Sequence, residues 1–312
     1  MDTSLEDKAQ TDNLKGLLWL LVSVIGASVM AVAVRELSAS LDTRMMVLLR
    51  SIITLGALIP ALAWPGLRRR ALRMTRPGLH LVRGLLIGGA THAGFFALAH
   101  LPLATATVLF FTAPIFATLL TGPIQGERVG RRRWSAVAAG FIGALIILRP
   151  SPAGFEPATL AALGSSLAFA IALLLSRRVA EADGPAAAYL SSVVITFLIT
   201  LPIMPGAWGW PNSFGVWVVA AVMIASGTIR GVADIQAYRH GEAAILGPVT
   251  YLRLVFVGGA GYLLYDEVPD GATWAGAAII IGAALYIARR EAILGQNRRR
   301  ARSAAEIVPS SK

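Results

Sequence analysis

Four ionisable side chains fall deep inside apolar runs of this sequence: Arg50, Arg230, Asp234 and Arg253. Charge at membrane depth is costly, and such groups usually face a bundle interior or a water-filled cavity, which makes them the first candidates for binding or gating a polar solute. Arg230 and Asp234 are four apart, share a helical face and can pair; a structural ion pair and a substrate or gating contact both account for them. Arg253 lies near the middle of its run, out of easy reach of either surface, whereas Arg83 lies near the end of its run and can snorkel. Tyr251 stands about 200° around an ideal helix from Arg253, so the two share a cavity only if Pro248 distorts the turn. Pro114 and Pro248 interrupt the backbone ladder, either as plain kinks or as breaks that offer free carbonyls to a ligand. His92 sits mid-run, where packing, a hydrogen bond or a proton relay would each explain it. Glu127 and Glu267, at helix ends, are read as caps that order their loops.

No motif for catalysis accompanies these residues. The chain has no cysteine, so it offers no thiol nucleophile, disulfide or Cys-based metal site. His80, His92, His100 and His240 lack metal-ligand spacing such as HExxH. Gly164-Ser165-Ser166 reads as a place where helices approach closely. Asp234 has no second intramembrane carboxylate to form a dyad, and neither a glycine-rich phosphate loop, an Asp-rich diphosphate motif nor an ATP-binding motif occurs. The reading therefore assigns no catalytic residue, metal or cofactor. An intramembrane enzyme, or a membrane sensor or structural protein that transports nothing, is the alternative reading; no soluble effector domain is attached to support a sensor.

The elements that must position these residues are set by hydropathy. The chain of 312 residues is 56% apolar and 14% charged, against roughly 25% charged for a soluble domain. Runs long enough to cross a bilayer as helices recur throughout. They predict spans at about 14–34, 44–63, 79–99, 103–121, 134–148, 158–176, 186–203, 214–238, 243–264 and 272–288. Residues 1–13 are polar and expected to be disordered; the run that follows is too long for the h-region of a signal peptide and reads as an uncleaved first span. Residues 205–213 carry two Trp and no charge, which suits an interfacial aromatic belt. The net charge of +11 resides largely in inter-helix loops and the tail, where orientation and anionic lipid head groups explain it. Without an aromatic-interleaved basic face, nucleic acid is not expected as a partner.

The sequence repeats itself. A shift of 140 residues brings His100 onto His240, Glu127 onto Glu267, Trp134 onto Trp274, Leu145 onto Leu285 and Arg149 onto Arg289. A weaker match at a shift of 142 brings Ser23 onto Ser165, Arg35 onto Arg177 and Pro60 onto Pro202. The counterparts of Arg230, Asp234 and Arg253 are Ala90, Gly94 and Ala113, so the fold does not need those polar groups in its other copy. The loop 127–133 holds four arginines and its counterpart 266–270 none. Cytoplasmic loops carry the Lys/Arg excess, so the copies should be inserted in opposite senses, as in many secondary transporters. With both termini cytoplasmic, inner segments hold 21 of the 28 Lys and Arg and outer loops only Arg35, Arg44 and Arg149. The expected architecture is an all-α polytopic membrane protein of ten transmembrane helices as two inverted five-helix repeats. These are residues 14–149 and 157–289, flanked by a cytoplasmic N-terminus, 1–13, and a basic cytoplasmic tail, 290–312.

Two stretches carry a family resemblance: ALAHLPLATATVLFFTAPIFATLL with GERVGRRRW and GFIGALIILRP in the first half, and GPVTYLRLVFVGGAGYLLYDEVPDGATWAGAAIIIGAALYIARRE in the second. From about 14 to 291 the chain resembles an EamA-type member of the drug/metabolite transporter (DMT) superfamily. Arg50, in RMMVLLRS, and Arg253, in YLRLVF, sit where such proteins commonly have an arginine. Relatives often have a polar residue after the proline of the ninth span, where this chain has Val249 and Thr250. The resemblance implies ten helices, a central cavity and alternating access, and relatives that move amino acids, S-adenosylmethionine, riboflavin or other small metabolites, some inward and some outward. The expectation is a multi-pass transporter of the inner membrane for a small polar metabolite, amino-acid-like, zwitterionic or carboxylate-bearing. Arg50, Arg230, Asp234 and Arg253 would meet the solute. Membrane lipids are expected partners; a coupling proton, an exchange solute and a homodimer are compatible with this reading.

Overall fold

The computed structural model of the protein describes residues 13–125, 131–148, 156–240, 246, 249–286, 289 and 293. Expectations for residues 1–12, Glu127, Arg149, Pro248 and most of the tail lie outside the described residues. Within them the chain is helical, with no strand. The helices are α1 (Asn13–Leu37), α2 (Thr43–Leu62), α3 (Pro65–Ala71), α4 (Pro77–His100), α5 (Leu103–Phe110), α6 (Ala113–Gln125), α7 (Arg131–Leu148), α8 (Pro157–Asp183), α9 (Pro185–Thr200), α10 (Phe214–His240), α11 (Leu252–Tyr265) and α12 (Gly271–Tyr286). Among the described residues, seven helical stretches are long and apolar enough to cross a membrane, and three shorter apolar helices accompany them, Trp134–Ile147, Leu252–Tyr265 and Gly271–Tyr286. Leu263 and Val255 are about 78% and 68% exposed in the isolated protein, a cost in water that lipid removes.

Prolines start four of the helices: Pro65, Pro77, Pro157 and Pro185 each sit in the first turn of α3, α4, α8 and α9. There the missing N–H has no partner to lose. Residues 68–70, between the second and third predicted spans, lie in the helix α3. One expectation changes: the sixth predicted span ends at 176, yet α8 runs to Asp183. Hydropathy marks where the membrane ends, and Arg177 and Arg178 are good helix formers beyond that point.

The fourth predicted span is broken. α5 ends at Phe110 and α6 begins at Ala113, with Pro114 in its first turn. The Leu109 carbonyl at the break accepts from Thr112 N, Thr112 Oγ1 and Ser166 Oγ at 3.1, 2.6 and 3.1 Å. In the ninth predicted span, Thr250 and Tyr251 form a turn just before α11. The two breaks meet: the Phe111 and Tyr251 rings pack edge to face, 4.8 Å between centroids. Phe111 and Tyr251 are 140 positions apart, the repeat shift of the sequence.

α1 packs mainly against α10, and α4 against α8 and α9. Small residues permit this. A Cβ on Gly88 would lie 2.4 Å from Ile199 Cδ1, and one on Gly26 would lie 3.0 Å from the Ser226 carbonyl. Likewise α7 meets α12 through glycine: a Cβ on Gly276 would lie 2.7 Å from the Gly143 carbonyl. Glu267 joins α1, α5 and the α11–α12 loop, accepting from Arg35 at 3.2 Å and from Leu103 N, at the start of α5, at 2.7 Å. It is the cap the sequence suggested, though of a helix 164 residues away.

Candidate functional site

The charged and polar groups of the interior are delivered by four helices. Arg50 comes from α2, Arg230 and Asp234 from α10, Arg253 from the first turn of α11, and Ser23 from α1. Arg230 Nε lies 3.7 Å from Asp234 Oδ2, so the i,i+4 pair is formed. Asp234 also accepts a hydrogen bond from Ser23 Oγ. Arg253 lies within electrostatic range of both Arg230 and Asp234, and Arg50 within range of Arg230 and Tyr189. Both arginines rest against aromatic rings, the Arg50 guanidinium 5.9 Å from the Phe95 centroid and that of Arg253 6.0 Å from Phe110. Phe110 is on α5 and Phe95 on α4.

Arg253 differs from the other charges in one respect. Its Nε is buried and has no hydrogen-bond partner among the described residues, and the same is true of Thr107 Oγ1 on α5. α5 and α11 pack together. A buried polar group without a partner is rare.

Tyr251 and Arg253 meet successive rings of the first half. The turn at residues 250–251 replaces the ideal-helix spacing, so the Tyr251 ring meets Phe111 while Arg253 meets the neighbouring Phe110. His92 is not brought to the arginines. It hydrogen-bonds Thr200 Oγ1 at 2.9 Å and lines a separate cleft of about 750 Å3, together with Asp42, Arg44, Phe96 and His100. At the mouth of this cleft Arg44 binds Asp42 through Nε and Nη2, at 2.9 and 2.8 Å, which holds the Asp42 carboxyl below the usual carboxylate range. Phe96 of the cleft is next in sequence to Phe95, on which Arg50 lies. Pro114 stands at the α5–α6 break; Pro248 lies outside the described residues.

Arg83 departs from expectation. It does not snorkel to the lipid surface; it donates to Ser176 Oγ at 2.7 Å, the Ala188 carbonyl at 2.8 Å and Ser192 Oγ at 2.5 Å. Three acceptors on α8 and α9 outweigh the entropy of an extended, solvated side chain. Sequence reasoning also missed Ser23, Phe95 and Phe110 as neighbours of the charges. The repeat pairs Ser23 with Ser165 but gives no sign of its contact with a carboxylate 211 residues away. Among the described residues, no three His, Asp or Glu side chains gather as a metal site.

A model of the EamA-like transporter family matches residues 14–149 and again 157–289. The chain belongs to the EamA-like transporter family. It is thereby a multi-pass membrane transporter of the DMT superfamily. The S-adenosylmethionine uptake transporter of Rickettsia prowazekii is 29% identical over 274 residues, 88% of this chain and 92% of that one. The riboflavin transporter of Vibrio cholerae is 30% identical over 286 residues, 89% and 94% of the two chains. The pseudopaline exporter of Pseudomonas aeruginosa is 28% identical over 280 residues, 88% and 96%. A crystal structure of a protein superposes with a TM-score of 0.57 at 19% identity, over 88% of this chain and 98% of that one, and shares the fold. The family and these relatives are transporters rather than enzymes.

Proposed function

We propose that this EamA-like transporter is a secondary transporter that carries a small zwitterionic or carboxylate-bearing metabolite across the inner membrane by alternating access. The observation that carries the substrate class is Arg253. An arginine whose buried Nε has no partner among the described residues, within electrostatic range of Arg230 and Asp234, offers charge-assisted hydrogen bonds to a carboxylate. Asp234 supplies the opposite charge that an ammonium group would seek, and Phe95 and Phe110 give the solute apolar walls. Two relatives, by name an S-adenosylmethionine importer and a pseudopaline exporter, are consistent with small polar cargo moved in either direction.

The architecture behind this reading is ten spans in two inverted halves, 14–149 and 157–289, with both termini cytoplasmic. The double family match supports the halves. So does the packing: α1 on α10 and α8 on α4 are the same pair of helices once the repeat shift is applied. The arginine distribution supports the inversion.

The test is thermal stability of the purified protein against amino acids, S-adenosylmethionine, riboflavin, nucleosides and carboxylates. A ligand that stabilises the wild type and not Arg253→Ala identifies the substrate class and the site together. A ligand that stabilises both equally removes Arg253 from the site. Binding of riboflavin or nucleosides alone removes the carboxylate reading.

A further inference from the structure

A second polar cluster lies at the far end of α4, away from the cleft, and transport chemistry as described above does not use it. Its centre is Asp183, the last residue of α8, whose side chain is fully buried. The carboxylate accepts from Thr75 N through both oxygens at 3.0 Å, from Thr75 Oγ1 at 2.7 Å and from His80 Nε2 at 3.1 Å; Arg73 Nε stands 3.7 Å away. His80, itself 2% exposed, bonds Ser191 Oγ through Nδ1 at 2.8 Å. One turn along α4, Arg83 adds its three bonds to α8 and α9. Residues 72–76 and the start of α4 are thus tied to the α8–α9 corner. The two sides of the knot come from the first and the second halves of the chain.

The cleft occupies the opposite end of the same helices. It is lined by His92, Phe96 and His100 of α4 and by Ala161 near the start of α8. His80 and His100 are about 30 Å apart along α4 at 1.5 Å per residue. One end of the α4–α8–α9 unit is open and the other is fastened by a buried carboxylate.

We infer that the Asp183 cluster is the inner gate of the transporter: its bonds to Thr75 and His80 hold the arginine-rich end shut while the cleft is open, and they must part for that end to open. The inference rests on the alternating-access reading above. A fully buried carboxylate held by hydrogen bonds from Thr75 and His80 suits a gate because breaking them exposes it to water that replaces its partners.

The test uses the full chain, which has no cysteine of its own, so a single engineered thiol labels without background. Ser192→Cys reports the fastened end, since Ser192 is buried there beside Arg83 and touches neither Thr75 nor Asp183 among the hydrogen bonds described. Ala93→Cys reports the cleft. Each is labelled with a maleimide alone and together with Asp183→Ala. The expected result is reciprocal: labelling of Ser192→Cys at least tenfold faster with Asp183→Ala, and labelling of Ala93→Cys slower. Thr75→Val, which removes one hydroxyl and keeps the carboxylate, should give the same pattern at about threefold and serves if Asp183→Ala does not fold. Unchanged labelling of Ser192→Cys overturns the gate. Faster labelling there with no change at Ala93→Cys also overturns it, because local fraying would do that. Reciprocal labelling in a protein that moves none of the solutes tested would leave the gate standing and count against the substrate reading alone.

Discussion

At the scale of the residue, the proposed site turns on Arg253. Arg253 presents a rigid fork, and the unpaired atom is Nε, which lysine lacks. Arg253→Lys should therefore fail to restore ligand-induced stabilisation even though it keeps the charge, as read by the thermal-shift panel. Glu267 is a different kind of residue. It satisfies the start of α5 and pairs Arg35 at once, so Glu267→Ala leaves a helix N–H without its acceptor and Arg35, which keeps the Ala99 carbonyl, without its ion-pair partner. The expected loss is about 1–3 kcal/mol, measured by thermal unfolding, with no change in ligand specificity. The candidate charges were legible in the sequence because arginine within an apolar run is conspicuous. Their partners were not. Ser23 and Asp234, or His80 and Asp183, meet across more than 100 residues, and hydropathy carries no information about which faces turn toward each other. Arg83 shows the same limit, since a position near a helix end looks like snorkelling until the acceptors on α8 and α9 are known.

At the scale of the helix, glycine sets the spacing. In α12, Gly276 faces the Gly143 carbonyl, whereas Gly282 has nothing within 4 Å of its added Cβ. Gly276→Ala must push α7 and α12 apart and is expected to cost about 1–3 kcal/mol. Gly282→Ala, in the same helix, should instead stabilise by about 0.5–1 kcal/mol. Unfolding midpoints of the two variants should move in opposite directions. Gly184, between α8 and α9, has φ 87° and ψ 164°, a region open essentially to glycine alone. Gly184→Ala should cost about 1–3 kcal/mol and, by displacing its neighbour Asp183, should also speed labelling of Ser192→Cys. Apolar runs predicted where these helices lie, because length and composition fix a span. They left the break between α5 and α6 as one of two meanings of Pro114, and they ended α8 too soon, because helix propensity continues where hydropathy stops.

For the whole molecule, the helices that touch most, α1 with α10 and α4 with α8, are pairs that the repeat shift of the sequence relates. Phe111 and Tyr251, which also touch, are related by the same shift. Orientation is a separate matter, fixed by basic loops rather than by packing. A reporter fused after Lys312 should be active in the cytoplasm; periplasmic activity there would reverse the topology and exchange the two ends of the gate.

The pairing of α1 with α10 also has a cost in time. Ser23 waits for an acceptor 211 residues downstream, and Arg35 for one 232 residues downstream. At a synthesis rate of roughly 5–20 residues per second, the first helix stands in the bilayer for about 10–40 s before its partner is made. During that interval its polar face meets lipid or an insertion factor. Nascent chains stopped before α10 should accordingly be short-lived, and those stopped after α11 should not.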